Sequence, residues 1–233
     1  MTDAEASSTP LRATVLHELH RRHGGRLGAF AGWDMPIRYG AGPVAEHEHC
    51  RRHAALFDVS HMTVVDLSGP DAAAALETLA AADLDAVAPG KIKYSFFTNE
   101  AGGILDDVMI TKRGDDALRL VLNAGTTDAD LAHLHAQLPA SCAITPRRDL
   151  ALIALQGPQA AAVLARFDES IDALGFLEEG TAELCGHTVE LSRSGYTGGD
   201  GFELALPAEH AEVLVEALLA EEEVALSGLA ARD

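Results

Sequence analysis

The chain has 233 residues, 48% of them hydrophobic, with a formal charge of −19 and three cysteines. That length and apolar content suffice to bury the core of one large domain or two smaller ones, which excludes a disordered chain. The charge repels phosphate backbones and anionic membrane surfaces, setting aside nucleic acid and lipid as partners.

Cys50, Cys142 and Cys185 are odd in number and widely spaced, so no disulfide framework is expected and a reducing compartment fits. Met1 to about Pro10 is a polar leader without the apolar core of a secretory signal or the acid-poor character of a transit peptide. No apolar run approaches the roughly 20 residues of a membrane helix. The expected location is the cytoplasm.

In chain order, Leu11 to His23 has helical spacing at Leu11, Val15, Leu16 and Leu19. AFAGWDMPIRYG, residues 29–40, is rich in glycine, proline and aromatics and predicts an ordered loop. Val44 to Leu56 predicts a second helix. LSGPDAAAALETL (67–79) is echoed by LQGPQAAAVLARF (155–167), each after a strand candidate. Proline at a first helical position has its φ preset, so strand, Gly-Pro, helix is a sensible unit. A weaker third version is FELALPAEHAEVLVEALL (202–219). True duplication and chance reuse of a common helix start both account for the echo. With the hairpin-like stretches MITKRGDDALRLVLNA and ELCGHTVELS, these units predict an α+β fold with antiparallel sheets flanked by helices, in two related subdomains.

Ile104 to Thr111, inside GGILDDVMIT, has the β-branched and apolar content of a strand. Successive strand residues face opposite ways, so Asp106 joins Ile104, Val108 and Ile110 while Asp107 joins Leu105, Met109 and Thr111. A carboxylate with such neighbours needs hydrogen bonds or a cation, or its pKa rises. Capping of a loop amide and chemistry both fit, and spacing does not separate them.

RSGYTGGDGFELAL (193–206) gathers four glycines before a strand. This backbone takes positive φ and can approach a flat ligand or another chain closely, or simply turn a hairpin. It lacks GxxxxGK[ST], so it is not a phosphate loop. Glu203, between Phe202 and Leu204, faces away from both and can reach a pocket. HEHCRRH places His49 and His53 one helical turn apart, with His47 and Cys50 as another pair. No face gathers more than two good metal ligands, so a solvated helix is expected and no metal site. No GxSxG supports a nucleophilic serine, and no GxGxxG follows a strand.

FAGWDMP (30–36), LFDVSHM (56–62), GKIKYSFFTNEAGGILDDVMI (90–110), LVLNA (120–124), ALQGP (154–158), SGYTGGDGFEL (194–204) and GLAARD (228–233) occur in this order. Together they resemble aminomethyltransferase, the T-protein of the glycine cleavage system, across nearly the whole chain. The resemblance implies a folate-binding region of two intertwined α+β subdomains, roughly 1–62 plus 150–233, and 63–149. Family members continue beyond GLAARD into a C-terminal β-barrel. That barrel is absent here, so a truncated product or fragment is expected.

The implied reaction takes an aminomethyl group from the lipoyl arm of the H-protein, releases ammonia and passes the carbon to tetrahydrofolate. By the same resemblance Asp107 is the catalytic carboxylate and Asp106 its structural partner. Met62, Tyr94, Asn123, Tyr196 and Glu203 line the folate pocket, and Arg232 meets the folate's anionic part. Gly199 stands where the family often has glutamate, outside these positions. Arg232 is expected to fray. A folate-binding module without turnover, or a related tetrahydrofolate-dependent demethylase of a small methylated compound, are the alternatives.

Overall fold

In a computed structural model of the chain, residues 10–232 are described. The leader at residues 1–9 lies outside them. The segment read as one helix from Leu11 contains a shorter one, α1 (His17–Arg22), with Leu16 and Leu19 fully buried at its start and centre. The stretch expected to be a loop is instead a hairpin, β1 (Arg26–Phe30) and β2 (Trp33–Arg38), paired from Phe30↔Trp33 to Arg26↔Arg38. Ala31 and Gly32 turn it with φ of 47° and 80°, the left-handed pair that matches strand twist in two-residue hairpins. Helix α2 (Pro43–Arg52) ends sooner than expected, because Ala54 to Asp58 form strand β3, buried at every position.

Beyond β3 come β4 (Thr63–Ser68), α3 (Ala72–Glu77), β5 (Ile92–Thr98), β6 (Ile104–Gly114), β7 (Ala117–Leu122), α4 (Thr127–Gln137) and β8 (Ala143–Pro146). Strand β9 (Leu150–Gln156) and α5 (Ala160–Ala165) repeat the β4–α3 unit. The chain then forms β10 (Glu179–Leu184), β11 (His187–Ser192), β12 (Gly201–Pro207), α6 (Ala211–Leu219), β13 (Val224–Leu226) and α7 (Leu229–Arg232).

Two sheets result. The first runs β10-β11-β12-β9-β3-β13, antiparallel except for β13 beside β3. The second runs β5-β6-β7-β4-β8 and is antiparallel throughout. Residues 63–146 supply the second sheet, and the first is assembled from the chain on either side. Each carries helices over its own core. Leu56, Leu155 and Phe202 pack with α5 and α6 in one, while Leu67, Phe97 and Ile110 pack with α3 in the other. Each large side chain so buried stabilises the fold by about 1.5–3 kcal/mol.

The repeated Gly-Pro corner has the same geometry twice, but proline is not at the first helical position. Pro70 and Pro158 each precede the residue that caps the helix, Asp71 or Gln159. Glycine is the constrained residue. Gly69 and Gly157 have φ of 142° and 129°, and an added Cβ would lie 2.2 Å from the Ser141 carbonyl oxygen and 2.1 Å from that of His53. The backbone passes so close to a neighbouring segment that only glycine fits.

Charges join the two sheets. On β7, Arg119 donates to both oxygens of Asp66 at 2.8 and 3.1 Å and also to Glu190 on β11. Arg113 on β6 grips Glu179 on β10 at 2.8 and 2.7 Å, and Arg147 adds a 2.8 Å bond to Asp66. Burial pushes Asp66 up, but the bonds from Arg119 and Arg147 outweigh it and hold its carboxyl below the usual range. A second buried network secures α1. Asp58 accepts from Thr14 at 2.6 Å and lies 2.8 Å from Nε2 of His20, whose Nδ1 is 2.8 Å from the Tyr39 hydroxyl.

Candidate active site

A cavity of about 380 Å³ opens where the two sheets meet, walled by Phe30, His61, Met62, Asn123, Tyr196 and Arg232. These residues come from separate places: the tip of β1, the β3–β4 connection, the turn after β7, the glycine-rich loop and α7. Asp107 and Tyr94 approach from β6 and β5. The register Phe96↔Asp107 and Tyr94↔Met109 puts the tyrosine two positions along from the aspartate's cross-strand partner, close enough for their side chains to interact.

Asp106 and Asp107 lie near the exposed start of β6, where Ile104 is 64% exposed and both aspartates are half-buried. The apolar faces expected around them are buried only from Val108 onward. No cation meets either carboxylate in the ion pairs of the described residues. Neutral donors serve them instead. Nδ2 of Asn123 is 3.2 Å from Asp107 Oδ1 and 3.2 Å from Asp106 Oδ2, and the Thr126 hydroxyl donates to Asp106 at 2.5 Å.

Tyr196 lies under the Arg232 guanidinium, whose centre is 4.6 Å from the ring centroid. Arg232 is the last residue of α7, and this stacking is the contact that its guanidinium makes there. Burial raises the Tyr196 phenol to about 12, with Asp107 and Glu203 adding to it, so at neutral pH this phenol is a donor. Burial first, then the Asp107 charge and hydrogen bond, raise Tyr94 as well. Glu203 does not wall the larger cavity. It is 7% exposed, accepts from Ser194 at 3.2 Å, and faces a separate void of about 40 Å³ shared with Arg119 and Glu190. Burial raises its pKa, against the pull of Arg232 and Ser194.

Two residues of this region escaped the sequence reading. His61, 4% exposed, keeps an unpartnered Nδ1 beside the cavity. Burial lowers it to about 4 despite Asp58, with Arg232 pushing the same way, so its imidazole is neutral. Its signal was present in LFDVSHM, immediately before Met62. Gln156 is the other. Its Nε2 donates to the Ser194 carbonyl at 2.8 Å and its Oε1 accepts from Thr197 at 2.9 Å. A Cβ on Gly195 or Gly201 would come within 2.1 or 2.5 Å of the Gln156 side chain. The close approach that these glycines permit is therefore to the chain's own glutamine.

The histidine-rich helix is not a merely solvated one. His49 Nε2 lies 3.1 and 3.0 Å from the carbonyls of Ala54 and Glu223, and His53 bonds Gln159 at 2.8 Å. All three cysteines are free. Among the described residues no group of three or more His, Cys, Asp or Glu is arranged to hold a metal ion, and no helix is long and apolar enough to cross a membrane.

An α+β pair of antiparallel sheets, joined around a cavity with an uncompensated carboxylate pair and one stacked arginine, defines the class. Residues 16–233 match the family described as the GCVT N-terminal domain, and the chain belongs to that family. It is 44% identical to the mitochondrial aminomethyltransferase of Pisum sativum over 98% of this chain and 58% of that protein. With the aminomethyltransferase of Xylella fastidiosa it shares 40% over 96% of this chain and 62% of the other. The glycine cleavage system aminomethyltransferase T of Bartonella henselae superposes with a TM-score of 0.89 at 42% identity, over 96% of this chain and 61% of that one. A chain of the heterotetrameric sarcosine oxidase of Corynebacterium sp. U-96 shares the fold at 19% identity, with a TM-score of 0.52. The chain thus spans about three fifths of the length of the curated relatives it matches.

Proposed function

We propose that this chain is the folate-binding part of an aminomethyltransferase of the glycine cleavage system. In this reading an aminomethyl group on the lipoyl arm of the H-protein gives its carbon to tetrahydrofolate. The carbon's bonds to sulfur and to the amine break, two bonds to folate nitrogens form, and the displaced folate protons leave on ammonia and on the lipoyl thiol. The reading rests on one observation above the others. Asn123, Tyr196 and Arg232 wall one cavity from separate elements, and the Asn123 amide that faces it also bonds Asp107, a carboxylate that meets no cation among the described residues and has Tyr94 diagonally across the strand pair.

Asp107 would orient the amine and stabilise positive charge as it develops at the reacting carbon, where a carboxylate fixed in advance is effective. Tyr196 and Tyr94 stay protonated and donate. Arg232, fixed against Tyr196, would meet the anionic part of tetrahydrofolate. Met62 offers apolar contact. Glu203, a two-oxygen acceptor set back from the cavity, suits a pterin's donor edge if the ligand reaches past Tyr196. The unpartnered His61 Nδ1 is a further polar atom that a ligand can satisfy.

Calorimetric titration with tetrahydrofolate tests the reading. Glu203→Ala should weaken binding at least tenfold and Asp107→Asn less than threefold, while Asp107→Asn removes turnover with aminomethyl H-protein. Binding without turnover in the unaltered chain would identify a folate-binding module instead. Turnover only with a small methylated amine would identify a demethylase.

A further inference from the structure

Behind the Asp106–Asp107 pair stands a third carboxyl that the proposed function does not use. Asp130, one turn into α4, is 4% exposed, and its Oδ2 has no hydrogen-bond partner. Its N–H donates to the Thr126 carbonyl at 2.9 Å and the Thr126 hydroxyl donates to Asp106 at 2.5 Å, so a single helical turn sets the Asp130 carboxyl beside that of Asp106. Asp106 already accepts from Thr126 at 2.5 Å and lies 3.2 and 3.3 Å from Nδ2 of Asn123, the amide that also meets Asp107 Oδ1 and the Asp107 carbonyl at 3.2 Å each. Asp106 and Asp107 are thus tied together by one amide, and the hydroxyl that also holds Asp106 belongs to the residue one turn before Asp130.

The groups facing Asp130 are Asp106 and Asp107 from β6 and Thr126 from the turn before α4. Tyr94 of β5 lies beyond Asp107. None is a cation, and no metal-holding group exists among the described residues. Two ionised carboxylates in such contact repel strongly, whereas a protonated one supplies the O–H donor that the other accepts. A proton here also removes the one unexplained orphan of the cluster, the bare Oδ2 of Asp130.

We infer that Asp130 and Asp106 share a single proton, and that this hydrogen bond fixes Asp106, hence the Asn123 amide, and hence Asp107: Asp130 is a positioning residue for the reacting carboxylate. The assignment of Asp107 as that carboxylate rests on the proposed function; the shared proton does not. Burial and the neighbouring Asp106 charge raise Asp130 to about 7, so the device is intact in mildly acidic solution and lost as pH rises through neutrality. Loss of the proton adds a third negative charge against Asp106. Asp106 then turns from its partner and draws the Asn123 amide off Asp107.

The test is a carbon-13 NMR titration of the full chain, labelled at aspartate carboxyl carbons and asparagine side-chain amides, with Asp130→Asn and Asp106→Asn alongside. In the unaltered chain one carboxyl should titrate near pH 7, and the Asp107 carboxyl and Asn123 amide should show inflections at the same pH. Asp130→Asn, whose amide donates to Asp106 as the acid does, should remove all three. Asp106→Asn should move the Asp130 midpoint down by at least one pH unit. No aspartate titrating above the ordinary range, or inflections of Asp107 and Asn123 that survive in Asp130→Asn, would overturn the inference. Tetrahydrofolate binding is read in the same samples: its absence with the inflections intact counts against the proposed function and for the shared proton.

Discussion

The acidic groups at the seam between the sheets and those at the cavity mouth obey opposite rules. At the seam, Asp66, Glu179 and Glu190 are each met by arginine, and Arg119, with its side chain 4% exposed, is shared between two of them. Near the mouth, Asp106 and Asp107 rely on neutral donors and Asp130 keeps an unpartnered oxygen, while Glu203, set back from the cavity, has only Ser194 as a side-chain donor. A paired charge is already satisfied and serves to hold two sheets in one orientation. An unpaired carboxylate retains its attraction for a cationic or proton-donating ligand, which is what a binding site requires. The contrast separates a framework region from the candidate site on charge pairing alone.

Removing the framework's shared cation should have the largest effect. Arg119→Met leaves Asp66 to Arg147 and Glu190 to Arg113 but removes the buried cation that bridges them across the seam, and a loss of about 3 kcal/mol is expected in urea unfolding, since stripping the buried partner from an ion network costs far more than the network itself contributes. A change below about 0.5 kcal/mol would show that the seam charges are solvated enough to dispense with it.

The site should respond with the other sign. The folded-state pKa of Glu203 is raised above the ordinary 4.5 by burial. Its contribution is therefore favourable when protonated, below 4.5, and is lost as pH rises through the folded value. Glu203→Gln should thus flatten the decline of stability above pH 4.5 and leave the variant more stable than the parent at pH 8. If unfolding curves at pH 5 and pH 8 differ equally in both proteins, the residue is solvated and the contrast with the seam weakens.

Smallest of all is the surface. Arg166 bonds Glu221 and, at 2.6 Å, Glu223, yet the contacts lie at the surface. Arg166→Ala should leave the urea midpoint unchanged within error, because exposed ion pairs are screened and entropically costly to hold. A measurable loss there would mean that charge pairing alone, without burial, stabilises this acidic chain.

Much of this was legible in the sequence, though for differing reasons. The hairpins at 104–122 and 179–192 carry alternating apolar residues and compact turns, local signals that need no tertiary context. The β1–β2 hairpin was not legible, because its proline at 36 and its aromatic tip resemble a loop, and only the left-handed Ala31 with Gly32 lets it close. The Gly-Pro corners were recognised for the wrong residue. Proline is conspicuous, whereas the constraint lies on Gly69 and Gly157, whose neighbours Ser141 and His53 are set by tertiary packing. Asp106 and Asp107 drew notice as charges in an apolar run. Asp130 did not, because at the start of a polar helix an aspartate is unexceptional; its strangeness is purely spatial, in the absence of any cation around it. His61 was passed over for a similar reason, since its burial depends on Phe30, whose ring is 5.4 Å away and far off in sequence.

The nesting of one sheet within the other has a consequence during synthesis. Strand β3 ends at Asp58 and its antiparallel neighbour β9 begins at Leu150, so roughly 90 residues must leave the ribosome between them. At about 5–20 residues per second the wait is of the order of 5–20 s. Throughout it β3, a strand buried on both faces in the finished protein, has no sheet to join, while β4 to β8 emerge and can close on themselves. The inner unit thus has time to form as a platform beside a sticky, unpaired strand.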